Sequence, residues 1–213
     1  MKKSIIIKLA AIMVLLVDDQ IIDLNKCSSS IPSNLLAFIS GGKPMLAAAK
    51  KALEKPKKAA VLKARGTKLH APWPGRRIAM AGSNYAAHLA GMAANVHGNT
   101  EFQGDPIARA IADARAKGQW GFWKVPVECT GPNDNVPFPK RTEYLDYEGE
   151  VAIIIGKKGK DIPAAKIRDY VWGVTLCNDW SIRDGRGVPR TMSYNLAKNF
   201  DGSCSLEIGR AHV

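Results

Sequence analysis

Two glutamates that share one face of a predicted strand are the residues best suited to chemistry. Glu148 and Glu150 are separated only by Gly149, and the run 151–155 that follows them is wholly apolar. Side chains alternate across a strand, so residues two apart project to the same side. Adjacent carboxylates repel, which raises a pKa unless a cation lies between them. A metal bound by this pair would be Mg²⁺, Mn²⁺ or Ca²⁺ rather than zinc; taken alone, the pattern is more typical of an exposed strand without a metal.

A third carboxylate extends this interpretation to a second strand. Asp179 ends the apolar run VWGVTLCND, which is predicted to be a buried strand, and a carboxylate there requires a partner. Three convergent acids would form an open site with water and substrate in the remaining positions. Lys124 lies between Trp123 and Val125 in an apolar stretch, where a lysine is unusual and indicates a specific role.

The elements that must position these residues are strands and helices in mixed order, which indicates an α+β fold. Apolar patterns, caps and turn residues predict a hairpin of 14–17 and 21–24, helices within 34–55, a linker over 56–75, a helix over 105–117, and strands over 147–155 and 171–179. We expect a small N-terminal domain over 1–68 and a β-rich catalytic-looking domain over 69–206, incomplete at its C-terminus.

The composition limits the classes of protein to which this chain can belong. The chain has 213 residues, of which 46% are apolar and 23% are charged, as in ordinary globular proteins. A mostly disordered chain, a collagen-like chain and a polytopic membrane protein are excluded. The four cysteines are far apart and none forms a CxxC pair, which excludes a zinc ribbon and disfavours a disulfide scaffold.

The positive charge is concentrated in one stretch. The net charge is +12, and residues 43–68 hold nine basic residues and one acid, Glu54. One hypothesis is a non-enzymatic nucleic-acid-binding module. The stretch from Lys50 to Lys68 has no aromatic residue to stack on a base, so a solvated helix and linker are favoured and no nucleic acid is expected.

Both chain ends carry specific expectations. The start, MKKSIIIKLAAIMVLLVDDQ, resembles an export signal, but Lys8 interrupts the apolar run and no cleavage site follows. A cytoplasmic hairpin is therefore expected, with export as the alternative and no membrane partner. The last seven residues, EIGRAHV, can be translated from a common sequencing adapter, so 207–213 are interpreted as a scar at the end of a truncated chain.

The chain resembles the fumarylacetoacetate hydrolase family across most of residues 18–205. The segments that carry the resemblance follow in the expected order: DDQIIDLN (18–25), SNYAAHLAGM (83–92), FWKVP (122–126), GPNDNVPFP (131–139), YEGEVAIIIGK (147–157), WGVTLCNDWSIRD (172–184) and KNFDGSC (198–204). The resemblance implies a small N-terminal domain followed by a mixed β-roll catalytic domain, usually in a homodimer.

The resemblance also implies roles for single residues. Glu148, Glu150 and Asp179 correspond to metal carboxylates, usually for Mg²⁺, with Mn²⁺ or Ca²⁺ as alternatives. The lysines of the substrate site correspond to Lys124 and Lys198, the second of which we also assign to catalysis with His88 of the lid. Arg183 and Asp184 are expected to form a structural pair.

The implied activity is metal-dependent C–C bond hydrolysis of a small anionic β-dicarbonyl or 2-oxo acid. Cleavage would form an enolate, whose negative charge a divalent ion stabilises as a Lewis acid. A decarboxylase or isomerase on the same fold remains an alternative.

Three departures from the family pattern bear on this expectation. The glutamate that often follows the lid histidine by three residues is replaced by Gly91, although Glu101 could substitute for it. Residues 93–120 are longer than the common connection, which indicates a different lid and substrate. The final G-T-P-x-G loop of the family is absent.

Overall fold

The computed structural model describes residues 4–9, 12–17, 19–73, 77–82, 84–88, 90, 105–183 and 193–206. It divides into two compact units, one of residues 1–76 with 126–213 and the other of residues 77–125. The domain boundary expected near residue 68 remains a prediction. The proposed scar over 207–213 lies outside the described residues.

Short strands and helices alternate along the chain. The strands are β1 Ser4–Leu9, β2 Ile12–Val17, β3 Gln20–Asp23, β4 Val61–Lys63, β5 Ile78–Gly82, β6 Trp120–Lys124, β7 Leu145–Asp146, β8 Gly149–Ile155, β9 Val171–Asp179, β10 Ser181–Ile182 and β11 Cys204–Leu206. The helices are α1 Leu24–Cys27, α2 Leu35–Ser40, α3 Gly42–Glu54, α4 Pro106–Lys117 and α5 Ser193–Lys198, with 3₁₀ turns at Lys58–Ala60 and Ala164–Asp169. Among the described residues, no helix has the length and apolar character needed to cross a membrane.

The N-terminal sheet has the strand order β1-β2-β3-β4, and every neighbouring pair is antiparallel. The predicted hairpin is confirmed. Strands β2 and β3 are antiparallel, and Val17 and Gln20 form the pair next to the turn. Strand β4 corrects the linker predicted over 56–75, because Lys63 pairs with Gln20. Three residues are too few to show the alternation by which a strand is recognised in a sequence.

The main apolar core lies between this sheet and the helices α2 and α3. Its members include Met13, Leu15 and Leu24, together with Phe38 of α2. The side chains of Asp23 and Asn34 cap α1 and α2 by accepting bonds from free backbone N–H groups. Burial of one helix face against a sheet accounts for the helices predicted within 34–55.

The second sheet has the order β11-β9-β8 and carries the acidic residues. Strands β8 and β9 confirm the predictions over 147–155 and 171–179, with Gly149 opposite Asn178. A separate two-stranded ladder joins β7 to β10. Trp172 of β9 belongs to the main core, where it meets the Phe38 ring edge-to-face at 6.4 Å.

The unit of residues 77–125 contains an antiparallel pair, β5 and β6, and helix α4. The predicted helix is confirmed, with Asp105 as N-cap and Gly118 following its end at a φ of 76°. A positive φ favours glycine, which explains the stop at this position.

Candidate active site

The antiparallel register of β8 and β9 gathers the acids predicted from the sequence on one face. Gly149 pairs with Asn178, and the backbone N–H of Asp179 donates to the carbonyl of Glu148 at 2.8 Å. Glu148 and Asp179 are therefore opposite each other, and residues opposite each other share a face. Glu150 joins them because it is two positions beyond Glu148 on the same chain.

Lys198 connects the two opposing carboxylates. Its ammonium donates to Asp179 Oδ2 at 2.7 Å and also to Glu148 Oε2. Helix α5 brings this lysine in at its last residue, and both Lys198 and Asp179 are buried. A buried lysine requires paired anions, so the structure gives this residue a specific place among the acids.

Ser181 and Arg183 complete the cluster and were not assigned to it from the sequence. Ser181 Oγ donates to Glu148 Oε2 at 3.1 Å. Arg183 donates from Nε to Asp146 Oδ2 at 2.8 Å and from Nη2 to Glu148 Oε1. Their spacing in the sequence indicates this position. Ser181 and Arg183 follow Asp179 by two and four residues, so in an extended strand their side chains lie on the same face as that of Asp179.

The structural pair predicted for Arg183 and Asp184 stays a prediction. Arg183 bonds Asp146 and Glu148, whereas Asp184 lies outside the described residues. The Ser181–Asp146 pairing of β10 with β7 brings Arg183 close to both carboxylates.

The contacts of the cluster favour the charged forms of Glu148 and Arg183. Burial opposes ionisation of Glu148, but the hydrogen bond and charge of Lys198 and the charge of Arg183 prevail and lower the pKa of Glu148 to about 2. Burial likewise opposes the charge of Arg183, yet the bonds to Asp146 and Glu148 raise the pKa of Arg183. Glu148 is therefore a carboxylate at neutral pH.

Two buried thiols adjoin the acids on the second sheet. Cys177 is opposite Glu150 on β9, and Cys204 is opposite Asp179 on β11. The pKa of Cys177 is raised well above its usual value, first by its hydrogen bond with Cys204, then by burial and by the charges of Asp179 and Glu150. The Cys177 thiol is therefore protonated and acts as a small apolar residue.

The donor chemistry of the shared face fits a hard divalent cation, because the side chains of Glu148, Glu150 and Asp179 offer only oxygens. In the geometry of the described residues, no three carboxylate, imidazole or thiol groups are close enough together to hold an ion. The ammonium of Lys198 bridges two of the three acids. The three-carboxylate ligand set therefore stays a prediction.

The two remaining predicted site residues belong to the unit of residues 77–125. Lys124 ends β6 opposite Ile78, and its side chain is fully buried. His88 is exposed in a helical turn at 86–88. Gly91 and Glu101, on which the role of the histidine depends, lie outside the described residues. The roles of His88 and Lys124 stay predictions.

Residues 77–208 match the family described as fumarylacetoacetate (FAA) hydrolase C-terminal. The chain belongs to the fumarylacetoacetate hydrolase family. The match includes both the β5–β6 unit and the ionic cluster, and it confirms the family resemblance carried by the sequence motifs.

Curated relatives of this family member include two proteins named oxaloacetate tautomerase. The mitochondrial fahd2 protein of Xenopus laevis is 30% identical over 187 residues, which are 87% of this chain and 52% of that protein. YisK of Bacillus subtilis (strain 168) is 30% identical over 204 residues, which are 89% of this chain and 62% of that protein. The chain thus spans about half to three fifths of the length of these relatives.

A solved structure confirms the α+β fold of the family over nearly the whole chain. Maleylpyruvate hydrolase from Sphingobium sp. SYK-6, in complex with manganese(II) ion and pyruvate, matches with a TM-score of 0.63 at 19% identity. The match covers 98% of this chain and 67% of that chain.

Proposed function

We propose that this protein is a divalent-metal-dependent enzyme that enolises a small anionic 2-oxo acid, with oxaloacetate-type tautomerisation as its reaction. The buried cluster of Glu148, Asp179 and Lys198 is the observation that carries this proposal. The curated relatives named oxaloacetate tautomerase support the choice of substrate class. An enolate is also formed in the C–C cleavage and decarboxylation that the family resemblance implies.

The charge of the cluster supports a divalent cation. Glu148 and Asp179 are opposite each other, and Glu150 shares their face. Acids on one face repel, and a divalent ion between them would reduce that repulsion. Glu148, Glu150 and Asp179 would hold that ion, with Mg²⁺ or Mn²⁺ as the first choices. A bound ion would supply Lewis-acid stabilisation to negative charge developing on substrate oxygens.

The protein's own residues have separate tasks in this proposal. Lys198 places a positive charge beside the acids, where it favours an anionic substrate and its enolate. Arg183 fixes the orientation of Glu148 by holding Oε1, while Ser181 donates to Oε2. Lys124 is the proposed second substrate lysine, and His88 is the proposed proton carrier because an imidazole can both accept and donate a proton.

The test is an assay of keto–enol conversion of oxaloacetate, run with Mg²⁺ or Mn²⁺ and again with EDTA. We expect metal-dependent acceleration by the wild-type chain and loss of acceleration in Glu148→Gln. An acylpyruvate and maleylpyruvate assayed in parallel distinguish C–C hydrolysis from tautomerisation. Acceleration that survives EDTA and the Glu148 substitution would contradict the proposed site.

A further inference from the structure

A single ammonium occupies the position between two carboxylates of neighbouring strands. Lys198 Nζ lies 2.7 Å from Asp179 Oδ2 and also bonds Glu148 Oε2. The side chains of Lys198, Glu148 and Asp179 expose only 8%, 14% and 3% of their surface. Solvent therefore screens this contact weakly, and the lysine balances much of the repulsion between the two acids.

A divalent ion shared by these carboxylates would compete with the ammonium for the same oxygens. Metal–oxygen bonds to Mg²⁺ are about 2.0–2.1 Å long, so the ion and the Lys198 nitrogen would be only a few ångströms apart. Two cations at that distance repel strongly in a buried site. Both cannot keep their full contacts with Glu148 Oε2 and Asp179 Oδ2.

Arg183 differs from Lys198 in this respect. It holds the other oxygen of Glu148, Oε1, and is anchored to Asp146. Its guanidinium lies between Asp146 and Glu148, on the side of Glu148 that Lys198 does not contact. Its contacts can persist while the Lys198 contacts change.

We propose, resting on the metal site of the proposed function, that Lys198 is the resident counter-ion of the metal-free site and is displaced from Glu148 and Asp179 when a divalent ion binds. The ammonium keeps the two carboxylates next to each other before the ion binds. Displacement frees its hydrogen-bond donors from the acids and makes them available to an anionic substrate. Metal loading and substrate binding are thereby coupled through one side chain.

The main experiment compares Mn²⁺ binding to metal-free wild-type protein and to Lys198→Met by titration calorimetry. Removing the competing charge should tighten Mn²⁺ binding by about tenfold or more. In EDTA the variant should unfold at a lower temperature than wild type, and Mn²⁺ should raise its midpoint by more than it raises that of wild type. Lys68→Met, which removes a lysine 3.5 Å from Asp134 at the surface, is the matched control and should bind Mn²⁺ as wild type does.

Two further measurements keep the test decisive if Lys198→Met folds poorly. Lys198→Gln removes the charge but keeps a hydrogen-bond donor, and it should also tighten Mn²⁺ binding. In the wild-type chain, Mn²⁺ should change the acetylation rate of Lys198, measured by mass spectrometry, while that of Lys68 stays constant.

The outcomes separate this inference from the proposed function. Wild-type binding of Mn²⁺ with equal or weaker binding by both Lys198 variants would overturn the displacement and leave the metal site intact. Absence of Mn²⁺ binding to wild type and to both variants would overturn the metal site and the displacement together.

Discussion

The N-terminal sheet and the second sheet both belong to the larger unit, but they differ in the side chains that they bury. The N-terminal sheet packs apolar residues such as Met13 and Ile22 against helices. The second sheet leaves Val151 and Ile153 of β8 more than half exposed, while Asp179 and Lys198 are buried at its end. Apolar burial stabilises a fold, whereas buried ion pairs often stabilise no more than apolar residues would. The comparison indicates that the first sheet supplies stability, and it agrees with the proposed role of the charged end of the second sheet in binding and chemistry.

The largest expected effect is the loss of stability on removal of the central aromatic residue of the apolar core. Phe38→Ala should lower the free energy of unfolding by about 3–5 kcal/mol, because Phe38 is fully buried and its ring meets Trp172. Urea denaturation measures the loss. The control is Leu36→Ala in the same helix, where the side chain is 55% exposed, and it should change stability by no more than about 0.5 kcal/mol. Equal losses in both variants would contradict the assignment of this core.

Neutralisation of Glu148 should impair metal binding and turnover while the protein stays folded. Glu148→Gln should weaken Mg²⁺ binding and slow turnover by roughly 10²–10³, because it removes a charged oxygen that Lys198 and Arg183 hold in place. Steady-state kinetics and metal titration measure the effect, and circular dichroism checks folding. Glu128→Gln, at an exposed position, is the control. An unchanged metal titration in Glu148→Gln would count against the site.

Asp23 is a buried carboxylate in the N-terminal sheet, and its expected role is structural, in contrast to the proposed role of the acids in the second sheet. Asp23 accepts hydrogen bonds from the backbone N–H groups of Asn25 and Lys26 at the start of α1. Asp23→Ala should cost about 0.5–2 kcal/mol of stability, measured by urea denaturation. Asp23→Asn keeps an acceptor and should lose less. A large loss of turnover per folded molecule in either variant would show that this acid is not structural alone.

The smallest expected effect is a pH-dependent change in stability that comes from Asp134, a carboxylate outside the apolar core and the ionic cluster. The N–H of Gly131 and the charge of Lys68 hold the pKa of Asp134 below its usual value of 3.8. A depressed pKa means that Asp134 stabilises the fold above about pH 4 and that this contribution is lost as the pH falls through the folded-state pKa. The stability difference between wild type and Asp134→Ala should be at most about 1 kcal/mol and should shrink below pH 4. A difference that stays constant in acid would contradict the assignment.

Much of the fold could be predicted because its signals are local. The strands β8 and β9, the hairpin of β2 and β3, and helix α4 with its Asp105 cap all follow from short-range patterns. Strand β4 could not be predicted, since three residues show no periodicity and the strand exists through its pairing with β3. The bonds of Arg183 to Asp146 and Glu148 could not be predicted from local patterns, because these partners precede it by 37 and 35 residues.

The sequence by itself determined that Glu148 and Glu150 share a face, because alternation along a strand is a property of the extended backbone. It also determined the family, through motifs spread over most of the chain. Only the tertiary structure decided that Lys198 bonds Asp179 and Glu148, which precede it by 19 and 50 residues. The physical reason is that such a contact depends on the path of the chain through β9, β10 and α5, and a side chain's type and nearest neighbours do not specify that path.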